Sequence, residues 1–167
     1  EIGKGSTSIS YKIFDTKRNQ VMCKKVIYLD KNEFSFKEMR NAMKEFEILH
    51  VMNHPCICQA IGINTSEVIK NEESEEEITT IALFLEFIDY KLKDLMTKNY
   101  LNNTLKARIV LEIAHAMNYL YKLGHIHRDL NADNIMLNSV FHVKIIDFGM
   151  AKINECLFDT ETLNTVS

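Results

Sequence analysis

The chain has 167 residues, 46% hydrophobic and 26% charged, with a formal net charge of −3. That is an ordinary globular composition, long enough to bury a core without disulfide or metal staples. The charge balance, with no strongly basic block, weighs against a general nucleic-acid or membrane-surface binder, and the longest apolar run, Ile81 to Leu85, is too short to span a bilayer.

The first residues carry Gly3 and Gly5, followed by Ile9, Tyr11 and Ile13 alternating with polar residues, which predicts a half-buried strand. Asp15 to Gln20 is polar and turn-like, and Val21 to Leu29 reads as a second strand interrupted by Lys24-Lys25. Phe36, Met39, Met43 and Phe46 recur at helical spacing and predict an apolar helix face, with Leu49 and Met52 extending a neighbouring stripe. That helix must end before Pro55. Cys56 to Ile63 predicts a short strand, Asn71 to Glu77 an exposed acidic loop, and Thr79 to Ile88 another strand. Leu92 to Met96 predicts a short helix.

Ala107 to Leu123 gives the clearest helical pattern, with Val110, Ile113, Ala114, Met117, Leu120 and Tyr121 as its apolar face. Gly124 follows, where a C-terminal glycine with positive φ belongs. Ile135 to Leu137 and Val143 to Ile146 predict a β-hairpin. The four cysteines, Cys23, Cys56, Cys58 and Cys156, form no disulfide-like framework; three sit among apolar neighbours, as expected in a reducing, cytoplasmic setting. Cys56-x-Cys58 lacks a second pair and His125-x-His127 lacks further ligands, so neither reads as a metal site. Residue 1 is Glu, so the natural N-terminus is expected upstream.

The strongest chemical signal is His127-Arg128-Asp129-Leu130-Asn131-Ala132-Asp133-Asn134, followed by Asp147-Phe148-Gly149 after the run Val143 to Ile146. This resembles the catalytic domain of eukaryotic protein kinases, nearest the tyrosine-kinase-like group of serine/threonine kinases. The resemblance implies an α+β, protein-kinase-like bilobal fold: an antiparallel N-lobe sheet with one helix over residues 1–88, and a partial, mainly helical C-lobe over residues 89–167. No Ala-Pro-Glu follows Gly149, so the remainder of the activation segment and C-lobe is expected to be missing.

It also implies roles. Asp129 would accept the substrate hydroxyl proton, and Asn134 and Asp147 would hold magnesium, a hard cation that takes oxygen ligands. Arg128 would pair with a phosphorylated residue, and His127 and Phe148 would pack in the interior. Ile2-Gly3-Lys4-Gly5 resembles the glycine-rich loop over the ATP phosphates, with Ser10 at its adenine-packing position. Lys24 resembles the lysine that holds the α- and β-phosphates, Lys25 being the competing register. With Lys24 in that role, Met22 stands in the adenine roof. Glu45 resembles the helix glutamate that orients that lysine, with Glu47 as runner-up. Leu85 resembles the gatekeeper, with the backbone of Glu86 and Ile88 bonding adenine.

Four positions depart from the family pattern: Ser8 stands for the third glycine, Ser10 for a valine, Met22 for an alanine and Asn131 for a lysine. The expected activity is ATP- and Mg2+-dependent phosphorylation of a protein hydroxyl, serine or threonine; the alternative is a pseudokinase acting as a nucleotide-binding or scaffold module. The expected partners are a protein substrate and an upstream activating kinase, with Thr160, Thr162, Thr165 and Ser167 as candidate phosphosites.

Overall fold

The computed structural model describes residues 1–5, 8–29, 34–70 and 77–153. It divides into two compact units: residues 1–53 with 58–88, and residues 54–57 with 89–167.

The first unit is a five-stranded antiparallel sheet in the order β1-β2-β3-β5-β4, built from β1 (Gly3–Lys4), β2 (Ser8–Asp15), β3 (Gln20–Tyr28), β4 (Ala60–Lys70) and β5 (Glu77–Glu86). Neighbouring hairpins dominate because polar turn residues separate the strands. β5 lies between β3 and β4, so its run Ile81, Ala82 and Leu83 is fully buried, with no polar alternation. β4 runs well past Ile63, where its apolar pattern stops. Register shifts between Ala60 and Gly62 and between Asn64 and Glu67 break the two-residue period that would have announced the rest of the strand.

Helix α1 (Phe34–Val51) packs against β4 and β5. Its buried side is Ala42, Glu45, Ile48 and Leu49, continued just past its end by Met52; the expected stripe of Phe36, Met39, Met43 and Phe46 is not that side, and Phe36 is 74% exposed. The phase is set by Glu45, a carboxylate buried against a lysine of β3, which sequence hydrophobicity counts as a surface residue.

In the second unit, α2 (Leu92–Thr97) precedes α3 (Asn103–Lys122). α3 begins earlier than its apolar pattern because the Asn102 side chain accepts the Leu105 N–H at 2.8 Å, an N-cap. It ends as expected at Gly124, whose φ is +71°. Ile109, Ala116 and Leu120 form its buried row, whereas Val110 and Tyr121, placed on the apolar face by sequence, are 67% and 57% exposed. β6 (Tyr90–Lys91), β8 (Ile135–Leu137) and β9 (Val143–Ile145) make a small antiparallel sheet, and β7 (His125–Ile126) pairs with β10 (Lys152–Ile153). The strand expected from Cys56 is here a single parallel bridge, Ile57 to Ile145, with the Ile145 N–H donating to the Cys56 carbonyl at 2.8 Å. No helix among the described residues is long and apolar enough to cross a membrane.

Candidate functional site

In the first unit the site groups are placed by the two-residue period of β3. Direct antiparallel partners share a face of the sheet. Lys25 lies opposite Ser10 and Leu83, and Cys23 opposite Lys12 and Leu85, so Ser10, Cys23, Lys25 and Leu85 occupy one face. Glu45 of α1 meets that face: Lys25 Nζ donates to its two carboxylate oxygens at 2.8 and 3.0 Å. The pair is deeply placed, with side-chain exposures of 18% and 4%. Burial of this kind favours a tightly partnered carboxylate, because an unpaired charge there would cost several kcal/mol, about 3–5.

Lys24 does not make that contact. The next residue along a strand points to the opposite face, and there Lys24 Nζ donates to Glu67 Oε1 of β4 at 2.6 Å. The lysine that meets Glu45 is therefore Lys25, correcting the register. Met22 moves with Lys24. It is buried, and with Ile13, Ile61, Gly62, Ile63 and Phe84 it lines a cavity of about 310 Å³ on the face away from Glu45. The place on the Lys25 face that Met22 was expected to hold is taken instead by Cys23, a residue that sequence reasoning passed over. The usable signal was a small residue two before a lysine, Cys23-Lys24-Lys25, since only that spacing puts both on one face. Burial pushes the Cys23 thiol up from its ordinary value, a hydrogen bond with Ser10 working in the opposite direction. Glu47, the runner-up for Glu45, is exposed.

The glycine-rich segment forms the edge hairpin of the sheet, with Gly3 opposite Ser10 and Lys4 opposite Ile9. The Ile2 N–H donates to the Ser10 carbonyl at 2.9 Å, and the Gly5 N–H to the Ser8 carbonyl at 2.8 Å. Leu85 is buried at the end of β5, next to Glu86. The Glu86 N–H donates to the Gln59 carbonyl at 3.0 Å. Ile88, the last residue of this unit, is buried.

In the second unit a chain of hydrogen bonds ties the catalytic-loop motif to Asp147. Asn134 is 9% exposed, and its Nδ2 donates to Asp129 Oδ2 at 2.8 Å and to the Asp129 carbonyl at 2.9 Å. Both partners are oxygens, so the amide nitrogen must face them and Oδ1 is the atom turned elsewhere. The Asn134 carbonyl accepts the Ile146 N–H at 3.0 Å, which sets Asp147 directly beside this loop. Asp129 itself is exposed.

His127 is buried and packs edge-on against the fully buried Phe148, with ring centroids 4.7 Å apart. Its Nδ1 lies 3.3 Å from the Asp129 N–H and its Nε2 lies 3.0 Å from the Ile146 carbonyl. An acceptor at Nδ1 and a donor at Nε2 select one tautomer and hold the ring as a brace. Both residues thus pack as the sequence suggests.

Arg128 and Asp147 have φ of +67° and +63°, a left-handed backbone that costs a non-glycine residue about 1 kcal/mol or more. Arg128 Nε donates to the Met150 carbonyl at 2.7 Å, which offsets part of that cost. The candidate phosphosites Thr160, Thr162, Thr165 and Ser167 lie outside the described residues, as do most of the acidic 71–77 segment and Cys156.

Two oxygen donors, the Asp147 carboxylate and Asn134 Oδ1, fit a hard divalent cation that takes its remaining ligands from water and phosphate. Among the described residues no group of three His, Cys, Asp or Glu side chains could hold a metal without such help.

The sequence profile of the protein kinase domain matches residues 1–163. The chain is 29% identical over 154 residues to dual specificity protein kinase FUZ7 of Mycosarcoma maydis, covering 90% of this chain and 32% of that protein. It is 30% identical over 167 residues to putative serine/threonine-protein kinase L673 of Acanthamoeba polyphaga mimivirus, covering 99% and 27%. With serine/threonine-protein kinase ppk8 of Schizosaccharomyces pombe it shares 28% identity over 164 residues, covering 97% and 30%. The chain thus spans about a third or less of the length of these curated relatives. An antiparallel sheet with one paired helix, the His127–Asn134 and Asp147–Gly149 motifs, and this match along nearly the whole sequence lead to one assignment: the chain belongs to the protein kinase domain family.

Proposed function

We propose that the protein is an active ATP-dependent protein kinase that phosphorylates serine or threonine hydroxyls. The observation that carries this reading is the Lys25–Glu45 ion pair, since an orienting glutamate in contact with its lysine is the arrangement phosphoryl transfer requires in this family.

In this reading Lys25 holds the α- and β-phosphates, with Glu45 fixing its direction. Cys23, Ser10 and Leu85 border the adenine, and backbone groups of Glu86 and Ile88 bond it. The backbone of Gly3, Lys4 and Gly5 faces the phosphates. Asn134 and Asp147 hold magnesium, which supplies charge neutralisation of the triphosphate. Asp129 orients the substrate hydroxyl and takes its proton as the new O–P bond forms. The bond between the γ-phosphorus and the β–γ bridging oxygen breaks, and ADP carries away that electron pair.

The serine/threonine assignment draws support from the names of the relatives; because one is named a dual specificity kinase, a tyrosine acceptor belongs in the assay. A tyrosine-kinase-like grouping draws no support from them. The second reading, a pseudokinase scaffold, is favoured by Ser8 and Asn131 standing where glycine and lysine are expected. The test is phosphate transfer from γ-labelled ATP to mixed protein substrate by the full-length protein and by Asp129→Ala. Transfer lost in the variant supports the proposal; no transfer by either overturns it in favour of the scaffold.

A further inference from the structure

We infer that Asn131 is a positioning residue for Asp129, holding the proton acceptor in register with the Asn134 turn, in the place where a lysine would instead bring charge to the γ-phosphate. The inference rests on the kinase reading above for its catalytic consequence, and on the loop geometry alone for the contact.

Asn131 uses both ends of its amide. Its Nδ2 donates to Asp129 Oδ1 at 3.0 Å and to the Asp129 carbonyl at 3.2 Å. Its Oδ1 accepts the Asp133 N–H at 2.8 Å and the Asn134 N–H at 3.2 Å, capping the 3-10 turn Ala132–Asn134. Asn134 meanwhile donates to Asp129 Oδ2 at 2.8 Å. Each carboxylate oxygen of Asp129 is therefore gripped by one amide, and the two amides are tied to each other through the cap. An ionised carboxylate has about four lone-pair sites, so the grip fixes the ring-like arrangement and still leaves a direction open for an incoming proton.

Few side chains could do this. Lysine has donors and no acceptor, so it could not cap the turn. Aspartate has the acceptor and no donor, and would set a like charge against Asp129. Serine caps well but is too short to reach the carboxylate. A short planar amide with a donor at one end and an acceptor at the other satisfies both demands. Fixing a reacting group in its productive direction lowers the barrier without strengthening ground-state binding, so its loss is read in kcat.

The test uses the full-length protein with Asn131→Ser and Asn131→Asp, both of which retain the cap. The expected result is a fall in kcat of about tenfold in each, with KM for ATP within about twofold and the thermal midpoint unmoved. Wild-type kcat in either variant would overturn the inference. A second readout needs no activity: in the 15N-labelled protein, Asp129→Ala should speed hydrogen exchange of the Asn131 and Asn134 side-chain amides alike. The variant keeps the Asp129 carbonyl and removes only the carboxylate, so unchanged exchange at Asn131 would show that the carboxylate does not hold its amide and would overturn the inference. A wild type without phosphate transfer would sink the kinase reading, and the exchange measurement would then decide by itself whether Asn131 positions Asp129.

Discussion

Lys25 and Glu45 form a forked ion pair, the ammonium of β3 lying 2.8 and 3.0 Å from the two carboxylate oxygens of α1, while the adjacent Lys24 reaches the other side of the sheet to Glu67. Two neighbouring lysines thus serve two different carboxylates, because strand alternation sends them in opposite directions. Lys25→Met is expected to lower phosphate transfer by about a hundredfold or more, as loss of a group aimed at transition-state charge does. Lys24→Met should retain transfer within a few-fold and cost about 1–2 kcal/mol of stability, because Glu67 then loses its cation with its Oε2 already lacking a partner among the described residues. Steady-state kinetics and denaturant titration of both variants check this.

The same register decides the roles of Met22 and Cys23. Met22 lines the cavity behind the sheet, so Met22→Ala should leave ATP affinity unchanged and cost about 2 kcal/mol through the enlarged void. Cys23→Leu should leave stability nearly unchanged and weaken ATP binding about tenfold by filling adenine space. Calorimetric ATP titration of the two variants separates them.

Glu112 ties α3 to the β8–β9 turn. Its Oε2 accepts the Val143 N–H at 2.7 Å and its Oε1 lies 2.6 Å from His142 Nδ1. Glu112→Ala strands the backbone donor and should cost about 2–3 kcal/mol, whereas Glu112→Gln, which keeps an acceptor, should cost less than half of that. Urea denaturation midpoints give the comparison.

His54 predicts an acid-sensitive stability. Burial, with lesser contributions from His115 and Lys144, holds its pKa below the ordinary histidine value. Its Nδ1 also accepts the Cys56 N–H at 3.1 Å, which a protonated nitrogen could not do. The unfolded chain then binds more protons than the folded one, so this contribution is present above about pH 6.5. It is lost as pH falls through the depressed folded value. The thermal midpoint should drop from about pH 7.5 to about pH 5.5, and His54→Asn, which keeps an acceptor for Cys56, should show a shallower drop.

What the sequence made legible was the local chemistry. Residues 127–134 and 147–149 carry their own pattern, and a few hydrogen bonds within that loop complete it. Strand and helix positions followed from turn residues and caps such as Gly124. The faces were harder. Val26 and Ile27 are both buried, so apolar matching could not say which of Lys24 and Lys25 turns toward the helix. In α1 a buried Glu45 and an exposed Phe36 reverse the hydrophobic expectation, and in α3 the buried row keeps Leu120 of the expected face but otherwise runs through Ile109 and Ala116, with Val110 and Tyr121 exposed. Each of these is a long-range partnership that local composition does not record.

In the proposed reaction Lys25, paired with Glu45, lies at the phosphates of bound ATP. An acyl-phosphate derivative of ATP transfers its acyl group to the lysine beside its phosphates, and peptide mass spectrometry identifies that residue. Acylation is expected at Lys25, abolished by excess ATP and absent from Lys24. ATP-protected labelling of Lys24, or no ATP-protected lysine at all, would contradict it.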